Sequence, residues 1–328
     1  MINFGTLGAA NITPQALIYP CINEPNATIK VIAARDKQHA RDFAKYHQIS
    51  RVVDSYDQVV NHESCNVIYN PLPISLHKNW TIEALKAGKH VLCEKSLACN
   101  EEEAAAMAQV AKSEGLILMD AFHYRYHPLF KTAKRIYDDG SLGEIQEVSA
   151  IFSIAGTPSN DDIRMNYETA GGVTMDIGCY PISWLRHLTG QEPEVVSATA
   201  ETGPKYVDLM LEANFIIGNI KGSIMGDMRA NGKFAAEIRV NGERGFMIVR
   251  NPLAPHMGHV LETEIDGKRE FLTVDRRTTY CYQLDAFMEA VQNNTPPITD
   301  GEDAVKQMRV IDQCYLAAGL PIRGKSHD

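Results

Sequence analysis

Short apolar runs alternate with amphipathic stretches through the first third of the chain. The runs are INFGTL (2–7), TIKVIAARD (28–36), CNVIYNPLP (65–73), KHVLCEK (89–95) and GLILMDAF (115–122). Between them, QHARDFAKYH (38–47) and SLHKNWTIEALKAGK (75–89) carry apolar residues at helical spacing. Asn100 with Glu103 forms a capping-box pattern that opens an Ala-rich helix running to about Glu114. Thr13 and Pro14 read as an N-cap and a first helical residue after the turn that follows the first run. Near-continuous apolar strands alternating with helices predict a parallel sheet covered on both faces. Ligands of such sheets bind at the carboxyl ends of the strands.

After residue 122 the pattern changes. A helix is expected over about 127–139, then a strand, EIQEVSAIFSI (144–154), then an irregular stretch to Ala170. VTMDIGCYPISWLRHL (173–188) is helical by pattern, with Pro181 as a kink or a new start. Strand runs follow with few helices: VDLMLEANF, FAAEIRV, FMIVR, HVLETEI and REFLTV. Asn241-Gly242 and Asp266-Gly267 are hairpin signals. Residues 280–294 and 301–319 close the chain as helices. The predicted fold class is α/β. A doubly wound parallel sheet over residues 1–122 precedes an α+β domain over 123–328, with an open, mainly antiparallel sheet.

Composition narrows the function. The formal net charge is −9, which argues against nonspecific attraction to nucleic acid or anionic lipid. No apolar run approaches the roughly 20 residues that span a bilayer, so no membrane partner is expected. The amino-terminal stretch lacks the features of a secretory leader. The seven cysteines are scattered without C-x-x-C spacing, which fits reduced thiols in the cytoplasm.

Three groups of residues carry candidate chemistry. Gly5-Thr6-Leu7-Gly8-Ala9-Ala10-Asn11 directly follows the first strand, where backbone N–H groups and a helix N-terminus can approach a pyrophosphate. The stretch departs from G-x-G-x-x-G at Leu7 and Ala10, and such a glycine turn also occurs in folds that bind no nucleotide. The second strand ends in Arg35-Asp36. Arg35 suits the 2′-phosphate of NADP, while Asp36 either faces solvent or reaches a ribose, so NADP is favoured and NAD stays open.

The second group lies at later strand ends: Asn70-Pro71-Leu72, His77, and the charged pair Glu94-Lys95. His77 is expected to face the cofactor, although a lone histidine is more often structural. The third group is Asp176 and Tyr180, four residues apart on one helix face. A phenol beside an ammonium is a usable acid/base pair, because the positive charge favours the phenolate. On spacing alone, a capping aspartate and a packing tyrosine are the favoured reading. The pairs His123/His127 and His256/His259 lack cysteine or acidic partners, so no metal is expected.

Together these stretches resemble the Gfo/Idh/MocA oxidoreductases. FGTLGAANI, NPLPISLHKNWTIEALKAGKHVLCEKSLA, DAFHYRYHP, SLGEI, AGGVTMDIGCYPI and TTYCYQLDAF through AAGLPI carry the likeness. They are most similar to the branch of dimeric dihydrodiol dehydrogenase and D-xylose dehydrogenase. The resemblance implies hydride transfer between NAD(P) and a CH–OH carbon of a sugar, cyclitol or dihydrodiol, with a small polyhydroxylated substrate. A non-catalytic dinucleotide- and sugar-binding sensor is the alternative. The resemblance also implies a homodimer formed through the C-terminal sheet. Lys95, Tyr180 and Asp176 would be catalytic, Arg164 would reach cofactor or substrate, and His123 and Tyr280 would line the substrate pocket. The family's Glu-Lys-Pro signature reads Glu94-Lys95-Ser96 here, which predicts either a trans turn or an unusual cis bond after Lys95.

Overall fold

The computed structural model describes residues 1–325. Two compact units are present: Met1–Phe122 with Tyr280–Val305, and His123–Thr279 with the residues from Lys306 onward.

The first unit contains six parallel strands: β1 (Ile2–Leu7), β2 (Ala27–Ala33), β3 (Arg51–Val52), β4 (Val67–Asn70), β5 (His90–Cys93) and β6 (Leu118–Asp120). Their order is β3-β2-β1-β4-β5-β6, the doubly wound arrangement, and it reverses at β1. Phe4, Val31, Ile32, Val67, Ile68 and Val91 are fully buried. This is what a sheet covered on both faces requires. The helices Lys37–His47, His77–Lys86 and Glu101–Glu114 lie where the pattern places them. Asn100 accepts from the Glu103 N–H, and Glu103 returns a bond to the Cys99 N–H, one residue earlier than a capping box prescribes.

Sequence pattern placed one division at residue 122; the structure returns residues 280–305 to the first unit. Apolar packing and strand-edge pairing draw them there. Phe287 stacks on Phe4 at 6.0 Å between ring centroids, Met119 bridges Asp300, and the Asp120 N–H donates to the Thr299 carbonyl.

The second unit holds eight strands: β7 (Ile145–Ser153), β8 (Glu194–Thr202), β9 (Asp208–Ile217), β10 (Ile220–Asp227), β11 (Ala235–Gly242), β12 (Gly245–Arg250), β13 (Val260–Ile265) and β14 (Lys268–Leu272). Their order is β14-β13-β12-β11-β7-β10-β9-β8, antiparallel except for the parallel pair β7–β10. Val148, Ala150, Ile224, Ile238 and Val240 are buried on one face, and the helix Cys179–Thr189 packs against β7 and β10.

Several local expectations are corrected. Thr13 has helical backbone angles, and its hydroxyl makes no cap bond. The turn joining β11 and β12 is Glu243-Arg244, because Gly242 pairs with Gly245 and Asn241-Gly242 lies within the strand. Asp266-Gly267 does form its hairpin, with φ of 51° and 78°.

Candidate active site

In the first unit, candidate residues gather at the carboxyl ends of β1, β4 and β5. Gly5 lies within β1, where an added Cβ would sit 2.7 Å from Val59; its glycine is demanded by packing. Gly8 has φ of +90° and donates its N–H to the Ala33 carbonyl at 2.7 Å. Leu7 ends β1, and Ala9, Ala10 and Asn11 continue the turn into the wide first helical turns from Pro14. Leu72 closes over Gly8, its Cδ2 3.4 Å from where a Cβ would stand.

At the tip of β2, Arg35 is exposed. Asp36 instead caps the next helix, accepting from the Gln38 and His39 N–H groups at 2.8 and 3.0 Å. Those bonds, His39's first, hold its carboxyl below the usual range. The carboxylate at this tip serves the helix, and the exposed cation stands beside it.

Asn70 and His77 build the loop. Asn70 is fully buried, donates to the Thr81 hydroxyl at 3.1 Å, and accepts from the Leu72 N–H at 3.4 Å. Pro71 is buried between them. His77 is also fully buried, with Nδ1 3.0 Å from the Ser96 carbonyl and Nε2 2.7 Å from the Leu72 carbonyl. Burial favours its neutral ring. Both ring nitrogens meet backbone carbonyls, so the ring joins the loop after β4 to the loop after Lys95. Its complete burial is a property that sequence position did not reveal.

Glu94 and Lys95 follow β5 directly. Glu94 is buried and accepts from the Tyr69 hydroxyl at 2.7 Å. Burial raises its carboxyl, opposed by that hydroxyl and by Lys95. Lys95 is half-buried, and its peptide bond to Ser96 is cis. Asp120, at the end of β6, is 2% exposed; burial first, then Asp303 and Glu94, push it well above the aspartate range, with Lys95 opposing. Tyr280 also lies in this unit, its phenol raised by burial and by Glu94. Lys95 thus enters a field of buried carboxyl groups. Asp120 escaped sequence reading, although it carries the signal that singled out Lys95, a charge ending an apolar strand.

The second unit carries the remaining candidates. Residues 174–178 form a wide turn closed by i→i+5 bonds, and the ordinary helix begins at Cys179. Pro181 falls in its first turn, where a missing N–H costs little. Asp176 and Tyr180 flank this change of pitch. The start of the segment is pinned by a buried clasp. Asp208 accepts from the Thr174 N–H at 2.8 Å and from Arg323 at 2.6 Å, and Arg323 also donates to the Gly171 carbonyl at 3.0 Å. Both charged side chains are fully buried.

Arg164 makes a two-pronged pair with Asp162 at 2.9 and 2.8 Å and stands 3.6 Å from Asp176. Its guanidinium serves carboxylates of its own unit and steadies Asp176. The Tyr180 ring is 6% exposed among Tyr124, Phe152, Trp184 and His123. Its hydroxyl lies 3.4 Å from His123 Nε2, and His123 Nδ1 lies 2.7 Å from the Thr279 hydroxyl. Thr279 is a further residue that sequence reasoning missed. Two of the other paired histidines have structural partners: His127 caps the helix Pro128–Asp138, and His259 contacts the Pro255 carbonyl. Among the described residues no group of three or more His, Cys, Asp or Glu is arranged to hold a metal ion.

Comparison with known proteins agrees with this geometry. Residues 2–122 match the oxidoreductase family with NAD-binding Rossmann fold, and residues 130–248 match the GFO/IDH/MocA C-terminal domain. D-xylose 1-dehydrogenase (NADP(+)) 2 of Haloferax volcanii is 32% identical over 322 residues, 96% of this chain and 97% of that protein. The chain belongs to the Gfo/Idh/MocA oxidoreductase family. Trans-1,2-dihydrobenzene-1,2-diol dehydrogenase of Sus scrofa is another similar protein, 29% identical over 229 residues, 68% of this chain and 66% of that protein. Among solved structures, KijD10, a 3-ketoreductase from Actinomadura kijaniata in complex with NADP and TDP-benzene, is similar with a TM-score of 0.90 at 26% identity, covering 96% of this chain and 97% of that one. The protein is therefore a Gfo/Idh/MocA oxidoreductase of the NAD(P)-dependent class, as its motifs imply.

Proposed function

We propose that this enzyme uses NADP(H), in preference to NAD(H), to interconvert an alcohol and a carbonyl on a sugar or related polyol. The observation that carries the reading is the delivery of Lys95 to the carboxyl edge of a 3-2-1-4-5-6 parallel sheet, beside the edge that holds the Gly8 turn. The first unit suits a dinucleotide. Gly8 keeps the backbone open to close approach, the first helix begins just beyond, and Arg35 is the exposed cation suited to a 2′-phosphate. Relatives named for D-xylose and for a dTDP-linked sugar support the substrate class.

The cofactor, when bound, supplies the hydride acceptor or donor. The chain's residues handle the rest. Tyr180 takes the hydroxyl proton on oxidation and returns it on reduction. The ammonium of Lys95 stabilises developing charge on oxygen, and Asp176, held by Arg164, orients substrate hydroxyls. Arg164 thereby acts on substrate through Asp176, and Tyr280 lines the pocket.

We also propose a homodimer. One face of the eight-stranded sheet is covered by the helix Cys179–Thr189; the other presents Ser149, Ile151, Asn214, Met225 and Arg239 in a shallow groove. A twofold partner would cover it. Among the described residues no helix is long and apolar enough to cross a membrane, and all seven cysteines are free thiols, which supports a reducing cytoplasmic setting. The test is titration with NADPH and NADH, followed by a panel of aldoses and polyols read at the reduced-nicotinamide absorbance. Tighter NADPH binding and turnover of a sugar are expected. Binding of dinucleotide and sugar without any absorbance change would make the protein a sensor.

A further inference from the structure

Tyr180 sits at one end of a hydrogen-bonded chain whose direction is fixed at the other. The Leu253 carbonyl can only accept, and the Thr279 Oγ1 lies 3.0 Å from it, so the single hydrogen of Thr279 is donated there. The Thr279 oxygen then accepts from His123 Nδ1 at 2.7 Å, which places a hydrogen on Nδ1. In a neutral imidazole that leaves Nε2 as a bare lone pair, 3.4 Å from the Tyr180 hydroxyl. Thr279, His123 and Tyr180 are 0%, 3% and 6% exposed, so water competes little for these positions. The His123 and Tyr180 rings meet edge to face, with centroids 6.0 Å apart, which sets the plane of the imidazole against the phenol.

We propose that His123 and Thr279 are positioning residues for the reaction, forming a proton relay behind Tyr180. This rests on the reading of Tyr180 as the acid/base group. On oxidation, the substrate O–H bond breaks as its proton passes to the Tyr180 oxygen. The phenolic proton passes to His123 Nε2 in the same step, giving an imidazolium whose Nδ1–H stays on Thr279. The electron pair of the carbon–hydrogen bond leaves with the hydride, so one proton enters the relay for each turnover. Once product has left, the imidazolium returns a proton to the Tyr180 oxygen, and the phenolic hydrogen passes to water in the emptied substrate position. Reduction runs the transfers in reverse. His123, expected from resemblance to line the substrate pocket, here acts through Tyr180. Its tautomer is set by a threonine 156 residues away in sequence.

Thr279→Val removes the acceptor and the donor at nearly constant volume, whereas Thr279→Ser keeps both. Thr279→Val should lower kcat about tenfold to a hundredfold, with the sugar KM and the NADPH dissociation constant unchanged; Thr279→Ser should stay within about twofold of wild type. The wild-type proton inventory in mixed H2O/D2O should be curved, reporting two moving protons, and should become linear in Thr279→Val. In a Tyr180→Phe background, Thr279→Val should have no further effect. Wild-type kcat in Thr279→Val, or a linear wild-type inventory, overturns the relay. Full turnover by Tyr180→Phe overturns the acid/base reading itself, whatever the threonine variants do. Should Thr279→Val fail to fold, nitrogen-15 NMR of His123 in the wild-type protein decides the matter. A protonated Nδ1 with bare Nε2 is expected, and the opposite tautomer refutes the relay.

Discussion

The two units place their chemistry by different means. In the first, Gly8, Asn70, Lys95 and Asp120 each stand at or just beyond the end of an apolar strand. A parallel sheet brings those ends to one edge, so local pattern is enough to find them. In the second, Tyr180 depends on His123, Thr279 and Leu253, and its helix depends on Asp208 and Arg323. These partners are scattered over two hundred residues, and no periodicity links them. A strand-end site is encoded locally; a site on a helix over an antiparallel sheet is encoded by long-range hydrogen bonds.

The largest effect should come from the locally encoded lysine. Lys95→Ala is expected to lower kcat about a thousandfold while NADPH binding, followed by fluorescence titration, survives. Unimpaired turnover would remove Lys95 from the chemistry and leave the first unit a binding platform.

Next comes the long-range clasp. Arg323→Ala leaves Asp208 buried without its guanidinium, a loss of about 3–5 kcal/mol. Thermal unfolding should fall by roughly 10 °C. A shift under about 2 °C would show that the second unit does not rest on this pair. A smaller change tests cofactor choice: Arg35→Ala should weaken NADPH about tenfold and leave NADH nearly unchanged. Equal weakening of both would assign Arg35 to a part of the cofactor common to both.

The smallest effect concerns Asp120. Burial raises its carboxyl in the folded protein, so the fold binds more protons than the unfolded chain and loses stability as pH climbs above the ordinary aspartate value of about 3.9. Asp120→Asn should therefore raise the melting temperature most at pH 7–8, with the gain vanishing toward pH 4. A gain independent of pH would contradict the burial argument.

How much the sequence reveals follows the same divide. The parallel sheet, its helices and the strand-end residues were legible because apolar runs and caps are local. So was the helix carrying Asp176 and Tyr180. Strands β8 and β10 were not. β8 is almost wholly polar or exposed along its length, an edge strand with no buried alternation to read, and β10 is interrupted by Gly222 and Gly226. The two-residue strand β3 and the short helix Tyr56–Val60 give too few residues for any period to show. His77 was placed by its position after a strand, but its burial comes from tertiary packing. Thr279 stands next to Tyr280, and only the bond from His123 distinguishes it from an ordinary helix start.

The discontinuous first unit bears on biosynthesis. When residue 122 leaves the ribosome, Phe4 still lacks its stacking partner Phe287, and β6 lacks the bridge from Asp300. Both arrive only after His123–Thr279, the larger part of the second unit, has been translated. The nucleotide-binding half is thus begun first and finished nearly last. Nascent chains halted before about residue 305 should expose this apolar surface to chaperones and proteases, however well their amino-terminal strands have paired.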